Sequence, residues 1–210
     1  MLKIALSKGR IASKVCGYLD KDERFKGTAD LESRKLIFED QSKRLQLILV
    51  KPSDLPLYVE SGAVDMGIVG KDVLMEASFH VYETMDLKIG QCKMILAGLP
   101  NTKASEIRRV GTKYPQIALD YFSKKRIPVQ IVKLDGSVEL APIVGLSDAI
   151  VDITETGSTL AENGLIIYDE ICSISSRLIV NPVRYKTKYR EISELEEFFK
   201  NIVKIQEGVK

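Results

Sequence analysis

The segment Ala149-Ile150-Val151-Asp152-Ile153-Thr154-Glu155-Thr156-Gly157-Ser158-Thr159-Leu160 reads as a buried strand ending in an acid, a turn of small hydroxyl residues around a glycine, and the start of a helix. Backbone N–H groups at a helix start lack partners and the local dipole favours an anion, so a phosphate could sit there, with the hydroxyls of Thr156, Ser158 and Thr159 as further donors. Asp152 and Glu155 are acceptors when ionised and suit the hydroxyls of a neighbouring sugar. Phosphate beside diol describes a ribose 5-phosphate. The plainer alternative is a structural strand–turn–helix connection with a threonine N-cap, and this segment alone leaves both open.

Outward from it, short β-rich runs alternate with helical ones. Residues 2–6, 45–50, 66–69, 94–97, 129–134, 149–153 and 178–180 read as strands, and residues 56–64, 114–124 and 159–163 as helices, the last stopped by Gly164. Near the end, Ser193 and Glu196 read as an S-x-x-E capping box for a helix with Leu195, Phe198, Phe199, Ile202 and Val203 on one face. The alternation predicts α/β layers. No repeat or Pro/Gly/Ser linker divides the chain, so a second domain is expected as an insertion, with crossings near residues 90–93 and 175–178.

Composition narrows the classes. The 210 residues are 45% hydrophobic with a net charge of +2, a soluble globular balance that gives no reason to expect nucleic acid or membrane as partner. The N-terminus lacks a signal-like apolar stretch and no run of about 18 apolar residues occurs, so a cytoplasmic protein is expected. Cys16, Cys92 and Cys172 form no C-x-x-C pair, and His80 is the sole histidine, which argues against a disulfide framework, a zinc site or any Ser-His-Asp triad that does not use His80. Gly67-Ile68-Val69-Gly70-Lys71 lacks the first glycine and the following Ser or Thr of a Walker loop. Lys124-Lys125-Arg126 ends a helix, where cations are favoured.

The D-x-x-x-T-G-x-T-L run from Asp152 resembles the phosphoribosyl pyrophosphate loop of phosphoribosyltransferases. Together with Gly136-Ser137-Val138-Glu139-Leu140-Ala141-Pro142 and Gly145, the spacing resembles the ATP phosphoribosyltransferase family. In the larger class with a Rossmann-like core two acids usually stand side by side, whereas Ile153 follows Asp152. The resemblance continues through Ser7-Lys8-Gly9-Arg10, Lys51-Pro52-Ser53-Asp54-Leu55-Pro56, residues 64–72 and Thr112-Lys113-Tyr114-Pro115. Pro is more usual in the family at Ser7 and Arg at Lys51; a lysine there is a point charge rather than a bidentate fork.

The resemblance implies two α/β domains like type II periplasmic binding proteins, hinged around a cleft: residues 1–91 and 177–210 on the ATP side, residues 92–176 inserted with the phosphoribosyl loop. It implies condensation of ATP with 5-phosphoribosyl 1-pyrophosphate to N1-(5-phosphoribosyl)-ATP and pyrophosphate, the first step of histidine biosynthesis. Asp152, Glu155 and Glu139 are the expected catalytic acids, and Asp152, Thr154, Glu155, Thr156, Gly157, Ser158 and Thr159 the phosphoribosyl pyrophosphate site. Lys8, Gly9, Arg10, Lys51, Asp65, Gly67 and Gly70 are expected at ATP. Magnesium is expected on substrate oxygens rather than on a dedicated protein cluster. The length resembles the short form, which works in a hetero-oligomer with a regulatory subunit resembling histidyl-tRNA synthetase. The alternatives are a small-molecule sensor or solute-binding domain of the same hinged fold, and a phosphoribosyltransferase for another base.

Overall fold

The computed structural model describes residues 1–208. In chain order its elements are β1 (Leu2–Ser7), α1 (Arg10–Leu19), β2 (Ile37–Glu39), β3 (Leu45–Val50), α2 (Leu55–Glu60), β4 (Met66–Gly70), α3 (Lys71–Glu76), β5 (Tyr82–Asp86) and β6 (Cys92–Gly98). There follow β7 (Arg109–Thr112), α4 (Pro115–Lys125), β8 (Gln130–Lys133), α5 (Leu140–Ile143), β9 (Ala149–Thr154) and α6 (Ser158–Glu162). The chain ends with β10 (Ile166–Ile174), β11 (Ser176–Val180), α7 (Pro182–Thr187) and α8 (Tyr189–Gly208). Among the described residues no helix is long and apolar enough to cross a membrane.

Two compact units divide the chain: Met1–Leu74 with Ser78–Gly90 and Ser175–Lys210, and Met75–Ala77 with Gln91–Ile174. The first unit is built on a sheet of order β2-β3-β1-β4-β11-β5, in which β3, β1 and β4 run parallel. Its central strands are apolar almost throughout because helices cover both faces. Ile4, Leu6, Leu47, Met66 and Ile68 meet Val15 and Leu19 of α1 and Ile192, Leu195 and Phe199 of α8 on one side. Ala5, Val50, Val69 and Ile179 meet Leu55 and Val59 of α2 on the other. Helix α8 begins four residues before Ser193, so the S-x-x-E pattern is not a capping box; it lies inside the helix, and Glu196 is buried there.

The second unit carries a sheet of order β10-β6-β9-β7-β8. Strands β9, β7 and β8 are parallel, while β6 runs antiparallel to both β9 and β10. One face buries Met94, Val110 and Val151 under Ile117 and Phe122 of α4; the other buries Ile95 and Ile150 under Ala141 of α5 and Leu160 of α6. Helix α4 has no side-chain N-cap of its own. The Glu76 carboxylate accepts instead from the N–H groups of Gln116 (2.9 Å) and Ile117 (3.2 Å), satisfying donors that a helix start leaves open.

Candidate functional site

Ligands of parallel α/β sheets bind beyond the carboxyl ends of the strands, so each unit has one such end to inspect. In the second unit that end gathers residues 113–114, 135–139 and 154–158, following β7, β8 and β9. Asp152 lies in register with Ile95, on the face toward α5 and α6, and is partly buried. Its Oδ1 accepts from the N–H of Ile153 at 2.8 Å. Thr154 organises the turn, its Oγ1 accepting the Gly157 N–H at 2.9 Å. The Thr156 hydroxyl donates to Ser158 Oγ at 3.1 Å. Gly157 has φ 81°, a left-handed conformation that strains any residue with a Cβ. Glu155, Thr156, Ser158 and Thr159 are exposed. Glu139 is partly buried at the N-cap of α5, which packs against β9.

The helix that follows the turn is short. Helix α6 is five residues long, with Gly157 rather than a threonine as N-cap and no side-chain cap bond. So short a helix contributes a weak macrodipole. What the segment offers an anion is the turn itself, with N–H groups and hydroxyls pre-set by the Thr154 and Thr156 bonds.

In the first unit the carboxyl ends of β1, β3 and β4 are followed by Lys8, Lys51 and Lys71, with Arg10 opening α1. Lys8, Gly9, Arg10 and Lys51 are exposed, and the Lys8 N–H donates to the Val50 carbonyl at 3.0 Å, so the two lysine-bearing turns are adjacent. Gly9 has φ 97°. Gly70 closes β4, with the Asp72 carboxylate folded over the space a Cβ would take. Lys71, absent from the sequence-based set, pairs with Glu83 at 2.5 Å.

Two expected ATP residues do not join this group. Asp65 precedes β4 and therefore lies at the opposite, amino end of the sheet, about 15–20 Å from the lysines at the strand rise of roughly 3.3 Å per residue. Its oxygens are engaged: Oδ2 accepts from the Lys3 N–H (2.8 Å) and Lys188 Nζ (2.8 Å), and Oδ1 lies 3.4 Å from Arg184 Nε. Asp65 ties β1 to α7, whose own start is capped by Asn181 Oδ1 accepting from Val183 and Arg184. Gly67 is buried mid-strand, where a Cβ would stand 2.5 Å from Leu55 Cδ2. It allows α2 to approach the sheet.

Lys93 follows the crossing into the second unit. It pairs directly with Thr154 across the β6–β9 ladder. Its position becomes legible only once strand register is known.

Comparison with known proteins places this geometry. Residues 51–202 match the family model described as ATP phosphoribosyltransferase. The chain is 48% identical to an ATP phosphoribosyltransferase of Clostridium botulinum (strain Okra / Type B1), covering 97% of this chain and 98% of that protein. It is 49% identical to one from Clostridium novyi (strain NT), with 96% and 98% covered. A structure of the ATP phosphoribosyl transferase (HisG:HisZ) complex from Thermotoga maritima superposes with a TM-score of 0.83 at 38% identity, covering 97% and 99% of the two chains. The periplasmic aliphatic sulphonate binding protein SsuA of Escherichia coli superposes with a TM-score of 0.63 at 12% identity, covering 99% and 74%, a likeness of fold. This chain belongs to the ATP phosphoribosyltransferase family.

Proposed function

We propose that the protein joins ATP to 5-phosphoribosyl 1-pyrophosphate, forming N1-(5-phosphoribosyl)-ATP and pyrophosphate as the first step of histidine biosynthesis in the cytoplasm, and that it works with a separate regulatory subunit. The observation that carries the reading is the Asp152–Thr159 turn at the carboxyl end of β9, within a chain similar along nearly its whole length to ATP phosphoribosyltransferases. The Thermotoga maritima relative is a HisG:HisZ complex, and the regulatory partner is carried over from it.

In this reading Asp152 and Glu155 accept hydrogen bonds from the ribose hydroxyls and fix the sugar. The hydroxyls of Thr154, Thr156, Ser158 and Thr159 and the N–H groups of the turn, with Gly157 supplying its left-handed bend, hold the 5-phosphate. Lys8, Arg10 and Lys51, with Gly9 and Gly70 shaping their turns, hold the triphosphate. Glu139 is a further acid at the same end of the sheet as the turn. The lone pair of adenine N1 forms the bond to ribose C1 as the C1–O bond to pyrophosphate breaks and its electron pair departs with pyrophosphate. Holding both reactants in place lowers the entropic part of the barrier.

Among the described residues no group of three or more His, Cys, Asp or Glu gathers around a metal position. Asp152 and Glu155 do fit magnesium's habit of binding through one or two carboxylates together with substrate phosphates. Magnesium so carried would neutralise charge growing on the pyrophosphate.

The test is pyrophosphate release from phosphoribosyl pyrophosphate and magnesium, with ATP set against other purine and pyrimidine acceptors, in the presence and absence of the regulatory subunit. Release that depends on ATP supports the reading. No release with any acceptor, even with the partner present, would favour a binding protein of the same fold.

A further inference from the structure

The phosphoribosyl turn carries two acids and no base between Asp152 and Thr159. A phosphate placed beside Asp152 and Glu155 would meet two like charges, and neutral hydroxyls and N–H groups compensate only in part. Beside the magnesium those acids would carry, a cation of the protein near the turn would offset this repulsion, and the second unit offers one. Lys93 opens β6 opposite Thr154, so the two side chains leave the sheet on the same face, with Cβ atoms about 5 Å apart. That is also the face of Asp152, opposite Ile95. On the outer neighbour β10, Glu170 pairs with Ile95 and its Oε2 holds Lys93 Nζ at 2.7 Å. Both partners stay about half exposed, 54% and 43%, so the ammonium stands at the surface, held toward β10 and within a lysine's reach of the turn that follows β9 on the other side of β6. Lys113 is the other nearby base, but it lies past the end of β7, on the far flank of β9 and outside the paired register.

We propose that Lys93 binds a phosphate of the sugar substrate at the Asp152–Thr159 turn, and that Glu170 is a positioning residue that holds the lysine across β6. The proposal rests on the function proposed above and adds to it the cation of the sugar-phosphate site.

The experiment uses the complex with its regulatory subunit and the variants K93M, K93R, E170Q, K93M/E170Q and D152N. Kinetics with each substrate varied are combined with calorimetric titration of ribose 5-phosphate and melting curves. Loss of one charge-assisted phosphate contact should raise the KM for phosphoribosyl pyrophosphate in K93M by about tenfold and weaken ribose 5-phosphate equally, with the KM for ATP within about twofold of the parent. K93R should recover most of the loss. E170Q should raise the same KM by a smaller factor, and add nothing in the K93M background. Unchanged sugar-phosphate affinity in K93M overturns the proposal. So does a lowered melting temperature with parallel loss for both substrates, which would mark the pair as structural. If K93M is silent while D152N loses activity, only the lysine assignment falls; if both are silent, the reading of the turn falls with it.

Discussion

The two units share an architecture and differ in chemistry. Each presents the carboxyl ends of three parallel strands, yet in the first unit all three are followed by a lysine, Lys8, Lys51 and Lys71, and in the second only β7 is, by Lys113, while β8 leads to Asp135 and β9 to the acids and hydroxyls of its turn. A triphosphate spreads several negative charges over a flexible chain, and point charges on separate turns can follow it. A sugar phosphate offers donors and acceptors at fixed spacing, and a single preformed turn matches them better. The sheet supplies position, and the residues just past each strand set the chemistry that each end offers.

The contrast can be broken at several points. The largest effect is expected away from both strand ends. Asp65→Ala leaves Lys188 and Arg184 beside a buried space and should destabilise the first unit by about 3 kcal/mol in urea unfolding, while folded protein keeps its KM for ATP. A raised KM for ATP with unchanged stability would return Asp65 to the nucleotide. Asp152→Asn should cut turnover about 100-fold through loss of a charged acceptor, with the melting temperature unchanged; full activity would remove the turn from the mechanism. Gly157→Ala imposes about 1–2 kcal/mol of strain at φ 81° and should raise the KM for phosphoribosyl pyrophosphate roughly tenfold without touching that for ATP. Lys51→Ala should do the converse, raising the KM for ATP about fivefold at low salt and less as ionic strength grows.

The smallest effect concerns acid stability. Burial works against the Asp148 carboxylate, but the N–H groups of Arg109 and Arg108 and the Arg109 guanidinium together hold it below its ordinary 3.8. A lowered folded value gives stability that is present above 3.8 and is lost as pH falls through the folded value. Asp148→Asn should therefore flatten acid unfolding of the second unit in that window, while the first unit's profile stays unchanged.

The same contrast explains what could be read in advance. The turn proposed for the sugar phosphate lies within one contiguous segment, so its acids, hydroxyls and glycine are legible in order. The side proposed for the nucleotide is assembled from strand ends far apart in sequence, and Lys71 emerges only from strand order. The sequence alone does not separate Asp65 and Gly67 from the lysine-bearing strand ends, because an acid before a buried strand and a glycine within it look alike whether they face a ligand or support a helix. Strand β2 is a three-residue edge and β7 a four-residue strand containing Gly111, too short for their pattern to stand out. In β5 the exposed Tyr82 and Glu83 break the alternation.

Strand β10 shows no clear period in the sequence because its pairing is irregular. It is a nine-residue edge strand with Ile166 and Ile167 exposed, the kind of open ladder on which another chain can add a strand. Its pairing with β6 shifts between Ile167 and Asp169 and again between Glu170 and Cys172. Each shift leaves a residue out of the ladder and twists the edge, so a straight incoming strand cannot match it over its length. The irregularity that obscures the period of this strand in the sequence guards the protein against edge-to-edge aggregation when many copies crowd together.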